Sequence, residues 1–106
     1  MKLYTGRRSK ETLMVIVDGK PLNPRYDLLN HSPTGFEWGY GGSGPAQLAL
    51  AIVADYLGND ERAILFHQSF KWAVIAKLPN GAWSLSGDEI RNALASLNPR
   101  RRNPSG

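Results

Sequence analysis

Cysteine is absent from this 106-residue chain, and its absence excludes several kinds of chemistry. Disulfide staples, thiolate zinc sites, iron–sulfur clusters and cysteine nucleophiles all require a thiol. Long apolar runs are absent as well, since none approaches the roughly 18–20 residues that span a bilayer. The first residues lack the apolar stretch of a secretory signal. We therefore expect a cytoplasmic protein with no membrane partner, no metal and no cofactor.

The remaining composition is typical of one small globular domain. Apolar residues make up 42% of the chain and charged residues 21%, near the averages for soluble proteins. A chain of this length has room for a single modest core. We predict one domain over residues 1–98. Residues 99–106 contain three arginines and no large apolar side chain, which predicts a disordered basic tail.

The positive charge is concentrated at the two ends of the chain. Residues 1–25 carry six basic side chains against two acidic ones, whereas residues 26–97 carry four against seven. A basic front and a basic tail would favour an anionic partner. The alternative is that these charges form an ordinary solvated surface.

The first half of the chain shows the pattern of a β-meander. Leu3–Arg8 and Thr12–Val17 are typical of strands. Asp18-Gly19 predicts a type I′ turn, and Lys20–Leu22 should return as a short edge strand because proline cannot donate to a ladder. Gly35–Tyr40 alternates apolar and small or polar residues, which predicts a further strand with its three aromatic rings on one face.

The second half shows three helices. The first should run from Pro45 to Leu57, capped by Ser43 or Gly44 and ended by Gly58 as a left-handed cap. Its nearly uniform apolar character predicts burial at the centre. The second should be capped by Asp60 and run to about residue 78. Trp83 and Leu85 should lie on one side of a short extended segment, after which Ser86 opens a capping box for the third helix. The fold class is therefore α+β, a small antiparallel sheet packed on three helices.

The glycine-rich segment before the first helix is the sharpest local feature. Gly41, Gly42, Ser43 and Gly44 lead directly into Pro45. Five of the eleven glycines fall in residues 35–44, which indicates either unusual backbone angles or close approach to the backbone by another group. Backbone N–H groups at a helix start can bind phosphate or carboxylate, so these four residues are a candidate anion or nucleotide site. The segment is neither a Walker loop nor a dinucleotide fingerprint. The alternative is a tight corner that lets a buried helix pack closely.

Basic and aromatic residues form a second candidate site, for nucleic acid. Exposed aromatic rings stack on bases and arginines contact phosphates, whereas aromatic residues in so small a domain also serve as core. The candidates are Arg7, Arg8, Arg25, Trp38, Tyr40, Arg100, Arg101 and Arg102. The two histidines, His31 and His67, lie 36 positions apart, and neither they nor Ser32 and Glu37 show the spacing of a known catalytic motif.

One long motif resembles a known family. Residues 30–51 read NHSPTGFEWGYGGSGPAQLALA, which is similar to the signature of an uncharacterised family of small prokaryotic and phage proteins. The resemblance extends over nearly the whole chain except the arginine tail. It implies no reaction and no catalytic residue. It implies a stand-alone accessory protein, and the phage context suggests interference with a host system.

The sequence therefore predicts a binding protein that is not an enzyme. The first hypothesis is a phage or mobile-element accessory factor of the anti-defence type that binds a nucleotide or nucleic acid through the basic hairpin and the glycine-rich segment. The alternative is an inhibitor that sequesters a host protein, and a small enzyme of unknown reaction is third. The oligomeric state stays open.

Overall fold

The computed structural model describes residues 2–10 and 12–97 and has the α+β architecture expected from the sequence. Four strands form one antiparallel sheet: β1 (Leu3–Arg8), β2 (Leu13–Val17), β3 (Lys20–Pro21) and β4 (Trp83–Ser86). Three helices accompany it, with a 3₁₀ turn at Ile75–Lys77: α1 (Ser43–Leu57), α2 (Asp60–Ala73) and α3 (Gly87–Ala95). The predicted tail, residues 99–106, lies outside the described residues.

The meander predicted from the first 22 residues is confirmed. The strand order is β3-β2-β1-β4, so the short β3 is at an edge as expected. Asp18 and Gly19 both have positive φ, 50° and 84°, which is the backbone that a type I′ turn requires. The Asp18 carboxylate also accepts a hydrogen bond from the Leu3 amide at 3.1 Å, which ties the turn to the start of β1.

The opposite edge of the sheet is a strand from the second half of the chain. β4 pairs antiparallel with β1, and Trp83 lies directly opposite Gly6. A methyl group on Gly6 would overlap the Trp83 indole, so the strand pair needs glycine there. The sequence predicted an extended segment with Trp83 and Leu85 on one side, and both are buried. Their place in the sheet was not predicted.

The strand predicted at residues 35–40 is wrong. This segment is irregular, and Gly35 and Gly39 have φ values of 111° and 90°, outside the range of a strand. The Gly39 amide donates to the Ile75 carbonyl of the 3₁₀ turn instead of to a neighbouring strand. The alternation therefore does not place its three rings on one face: Trp38 is 1% exposed and Tyr40 is 53% exposed.

Helix α1 forms the centre of the core, as its composition predicts. Its residues 44–54 are all buried, and a helix that is apolar on every side requires such burial. It begins at Ser43 rather than Pro45, with Gly42 as the capping residue, so the predicted cap at Ser43 or Gly44 is wrong by one or two positions. Gly58 ends it in the left-handed conformation, as predicted.

The other two helices differ from expectation mainly at their ends. Asn59, rather than Asp60, caps α2 by accepting a hydrogen bond from the Arg62 amide at 3.0 Å. The helix ends at Ala73, because Val74 leaves the helical region and the chain continues as a 3₁₀ turn. The capping box at the start of α3 is confirmed, with both reciprocal hydrogen bonds formed.

Candidate functional site

Two aromatic rings lie against the backbone of the glycine-rich segment. A methyl group on Gly41 would overlap the Trp72 indole, and one on Gly42 would approach the Tyr40 ring to 2.5 Å. A side chain at either position would displace the ring, because both rings lie directly against the chain. The two glycines are consecutive, so the rings of Tyr40 and Trp72 contact neighbouring residues of the same segment.

Both rings remain largely open to solvent. Tyr40 is 53% exposed and Trp72 is 58% exposed. The Lys71 ammonium lies 4.4 Å from the centre of the Trp72 ring, within the range of a cation–π contact. Trp72 comes from the exposed side of α2 and Tyr40 from the irregular segment before α1. We call Tyr40 and Trp72 the aromatic pair.

A carboxylate lies beside the last glycine of the segment. The Glu37 side chain packs against Gly44, where an added methyl group would meet it at 2.6 Å. Arg8 neutralises this carboxylate through two hydrogen bonds of 2.9 and 3.1 Å. The guanidinium also lowers the pKa of Glu37. An anion at Gly44 would thus approach a carboxylate, which makes this end of the segment a poorer phosphate site than the sequence suggests.

The hairpin formed by β1 and β2, whose basic residues are Arg7, Arg8 and Lys10, borders an open groove. Its volume is about 550 Å³, and it is lined by Arg8, Ser9, Lys10, Thr12, Leu13, Thr34, Phe36 and Glu37. Arg7 points away from the core and is exposed, as is Lys10. Because Arg8 lines the groove and Glu37 lies against Gly44, the hairpin and the aromatic pair belong to one region of the surface.

Trp38 and Arg25, two of the residues predicted to contact nucleic acid, make contacts within the fold instead. The Trp38 ring is buried and meets Trp83 edge-on with centroids 5.5 Å apart, so it has no face open for a base. Arg25 forms ion pairs of 3.0 Å with both Asp27 and Asp60, and Asp27 raises the pKa of Arg25. Arg25 therefore ties its loop to α2. Arg100, Arg101 and Arg102 lie outside the described residues.

The structure brings the two histidines together. Their Nε2 atoms lie 3.0 Å apart, although His31 is in a loop and His67 is on α2. His67 Nδ1 is 2.8 Å from the Ile64 carbonyl oxygen, and a carbonyl only accepts, so Nδ1 carries the hydrogen. Nε2 of His67 is then the acceptor, and His31 donates to it. Burial lowers the pKa of His67, which favours this neutral form.

A buried glutamine holds the loop that carries His31. The Gln47 oxygen accepts from the amides of His31 and Ser32 at 2.7 and 3.2 Å. Its nitrogen donates to the carbonyls of Pro24 and Leu29 at 2.7 and 3.1 Å. All four hydrogen bonds of this central α1 side chain fasten the same loop, so the loop is part of the folded core.

His31, Ser32 and Glu37 do not form a catalytic triad in the structure. The Ser32 hydroxyl lies 3.4 Å from the Thr34 hydroxyl, and Glu37 is engaged by Arg8. In residues 2–10 and 12–97, no three histidine or acidic side chains cluster as metal ligands would. No helix in the same residues is long and apolar enough to cross a membrane.

Sequence reasoning found Tyr40 and missed Trp72. The indole lies on the exposed side of α2, and nothing in the sequence indicated that it would cover Gly41, thirty-one positions earlier. The histidine contact likewise joins two distant parts of the chain. The local signal was the number of glycines in residues 35–44, which indicated either unusual backbone angles or close approach to the backbone by another group.

Comparison with known proteins identifies a family without assigning an activity. Curated proteins and solved structures show no significant match to this chain. A family model does match, and it covers residues 4–96. This range includes both the hairpin and the aromatic pair. The chain therefore belongs to DUF6166, a family of unknown function.

Proposed function

We propose that this protein is a non-catalytic binding protein for single-stranded nucleic acid, with the aromatic pair as its stacking surface. The observation that carries the proposal is the placement of two exposed rings, Tyr40 and Trp72, on adjacent glycines. Exposed aromatic rings of this kind stack on unpaired bases without regard to sequence. A fold that had only to turn a corner would not need to leave both rings open to solvent.

The charges near the aromatic pair support the same proposal. Arg7 and Lys10 are exposed on the hairpin and can contact phosphates, whereas Lys71 is 8% exposed and adds positive charge beside the Trp72 ring from within the fold. A strand whose bases stack on the rings would present its phosphates to cations along a groove. Arg8 contributes less charge, because Glu37 already pairs with it.

The glycine-rich segment has a different role in this proposal from a phosphate cradle. Gly41 and Gly42 leave room for the two rings beside the chain, and Gly44 admits Glu37. Backbone contacts from Gly41, Gly42, Ser43 and Gly44 to a phosphate remain a prediction. The cellular role also remains a prediction. In that role the protein is an accessory factor of a phage or mobile element and acts on nucleic acid in the cytoplasm.

The proposal is tested by the affinity of the protein for a fluorescein-labelled 20-nucleotide thymidine strand, measured by anisotropy. Stacking contributes about 1–3 kcal/mol per base, so Trp72→Ala and Tyr40→Ala should each weaken binding by roughly 5- to 150-fold. Trp72→Phe keeps a ring and should lose much less. Affinity should fall steeply with salt, because phosphate contacts release counterions.

Leu65→Ala is the matched control. Leu65 is 55% exposed on α2, two turns from Trp72, and its loss removes apolar surface without removing a ring. The Leu65→Ala variant should bind the strand with the same affinity as the unmodified protein. The proposal fails if the protein does not bind the strand at low salt, or if both ring-to-alanine variants bind with unchanged affinity.

A further inference from the structure

A second concave site lies where the three helices meet, away from the aromatic pair. Tyr56 and Leu57 at the end of α1, Phe66 on α2 and Leu94 on α3 line a groove of about 220 Å³. All four side chains are partly buried, and Tyr56, Leu57 and Leu94 also pack against the core while they line the groove. The groove is smaller than the roughly 300–1,000 Å³ of sites that hold drug-sized molecules. Its size suits one large side chain.

The charged residues of this groove are both arginines. Arg62 lies over the Phe66 ring at 5.5 Å, and Arg91 lines the α3 side. No carboxylate of the described residues lines the groove. Asp88 approaches Arg91 to 3.7 Å, but both side chains are more than half exposed, and an exposed pair of this kind contributes little. Two cations around an apolar floor favour a partner with the opposite charge.

We infer that this groove docks a short acidic segment of a protein partner, with one aromatic or large aliphatic side chain inserted among the helices. Carboxylates on either side of that anchor would pair with Arg62 and Arg91. An apolar anchor in a pocket with charged contacts at the rim is the usual anatomy of a small protein interface. This inference goes beyond the proposed nucleic-acid function and uses none of its residues.

The test is a titration of the ¹⁵N-labelled protein with three capped five-residue peptides, followed by amide chemical shifts. The first peptide is Asp-Glu-Phe-Asp-Asp. The second replaces the acids by amides, Asn-Gln-Phe-Asn-Asn, and the third replaces the anchor, Asp-Glu-Ala-Asp-Asp. We expect saturable shifts in residues 56–66 and 91–95 with the first peptide alone. A 20-nucleotide thymidine strand serves as a fourth, purely anionic probe.

Charge reversal at the rim separates docking from general attraction. The double variant Arg62→Glu, Arg91→Glu should weaken binding of the first peptide by about tenfold or more, because the new carboxylates would face the acidic side chains of the peptide. The control is Arg7→Glu with Lys10→Glu, which removes as much charge at the hairpin and should leave peptide binding unchanged. All four side chains are exposed, so both double variants should fold, which their amide spectra verify.

Three outcomes would overturn the inference. The first is no shift at millimolar concentrations of the first peptide. The second is equal binding of the peptide without acids or of the peptide without its anchor, since either would remove the recognition described above. The third is a shift of the same groove residues by the thymidine strand that the rim variant abolishes, which would make the groove a phosphate contact.

Discussion

The Nε2 atoms of His31 and His67 lie 3.0 Å apart with room for one hydrogen between them. His67 Nδ1 already donates to a backbone carbonyl, so the pair is complete when His67 is neutral. A proton added to His67 Nε2 would face the N–H of His31. Lys71 adds positive charge on the same side of α2 and also lowers the pKa of His67, after the larger effect of burial.

This pair predicts that stability falls as the pH is lowered below about 6.5. The pKa of His67 is lowered from 6.5 in the folded state, so the unfolded state binds more protons in this range. Stability contributed by the neutral pair is therefore complete above pH 6.5 and is lost as the pH falls toward the folded pKa. Urea unfolding between pH 5 and pH 8 measures the slope, and His67→Gln should reduce it.

An NMR titration of the two histidine ring signals checks the same prediction directly. His31→Gln assigns the signals and leaves His67 as the remaining titrating ring. We expect the His67 signal to titrate below pH 6.5. A His67 pKa at or above that value would contradict the arrangement of hydrogens described here.

Gln47 should be the most costly polar side chain to remove. Gln47→Leu leaves two amides, one of them on the buried Ser32, and two carbonyls without their partner. Each group that is buried and unsatisfied costs about 1–3 kcal/mol. We expect a loss of at least about 2 kcal/mol in the free energy of unfolding and faster hydrogen exchange at His31 and Ser32. Gln68→Leu, at an exposed position on α2, is the control and should change stability by less than about 0.5 kcal/mol. Similar values for the two variants would refute this role.

Gly6 is the position where a single methyl group should matter most in the sheet. Gly6→Ala would push into the Trp83 indole, which is itself packed against Trp38. Overpacking of this kind costs about 1–3 kcal/mol, measured by chemical denaturation. In a Trp83→Leu background the same change should cost less, because the opposing ring is gone. Gly81→Ala meets nothing within 4 Å and is the matched control.

The centre of the core is tested by truncating α1. Leu48 and Ile52 are fully buried, so Leu48→Ala or Ile52→Ala should cost about 2–5 kcal/mol. Urea unfolding measures the loss, with the exposed Leu65→Ala as the reference. A loss below about 1 kcal/mol at both buried positions would mean that α1 is not the core.

Local signals in the sequence predicted most of the fold. The turn at Asp18-Gly19, the left-handed cap at Gly58 and the capping box at Ser86 depend on neighbouring residues alone, and each is present. The prediction of a strand at residues 35–40 was wrong. An alternation of apolar and polar side chains is compatible with a strand but does not show whether a partner strand is available to pair with it. β4 takes the free edge of β1, and this segment packs on the 3₁₀ turn instead.

The candidate site was less predictable, because its contacts join distant parts of the chain. Trp72 covers Gly41, His67 meets His31, and Glu37 lies on Gly44. No local pattern reports such pairs. The excess of glycine indicated either unusual backbone angles or close approach to the backbone. The structure shows both, because Gly35 and Gly39 have positive φ and side chains of the protein lie against the later glycines.

The most direct test of the account is the fluorescence of Trp72 during binding. Trp38 and Trp83 are buried, and Trp72 is the exposed one of the three tryptophans. A base that stacks on Trp72 should quench its emission, so a saturating 20-nucleotide thymidine strand should lower the fluorescence of the protein. Trp72→Phe should still bind by anisotropy and show no quenching. Unchanged emission at saturation, or equal quenching in Trp72→Phe, would contradict the proposal.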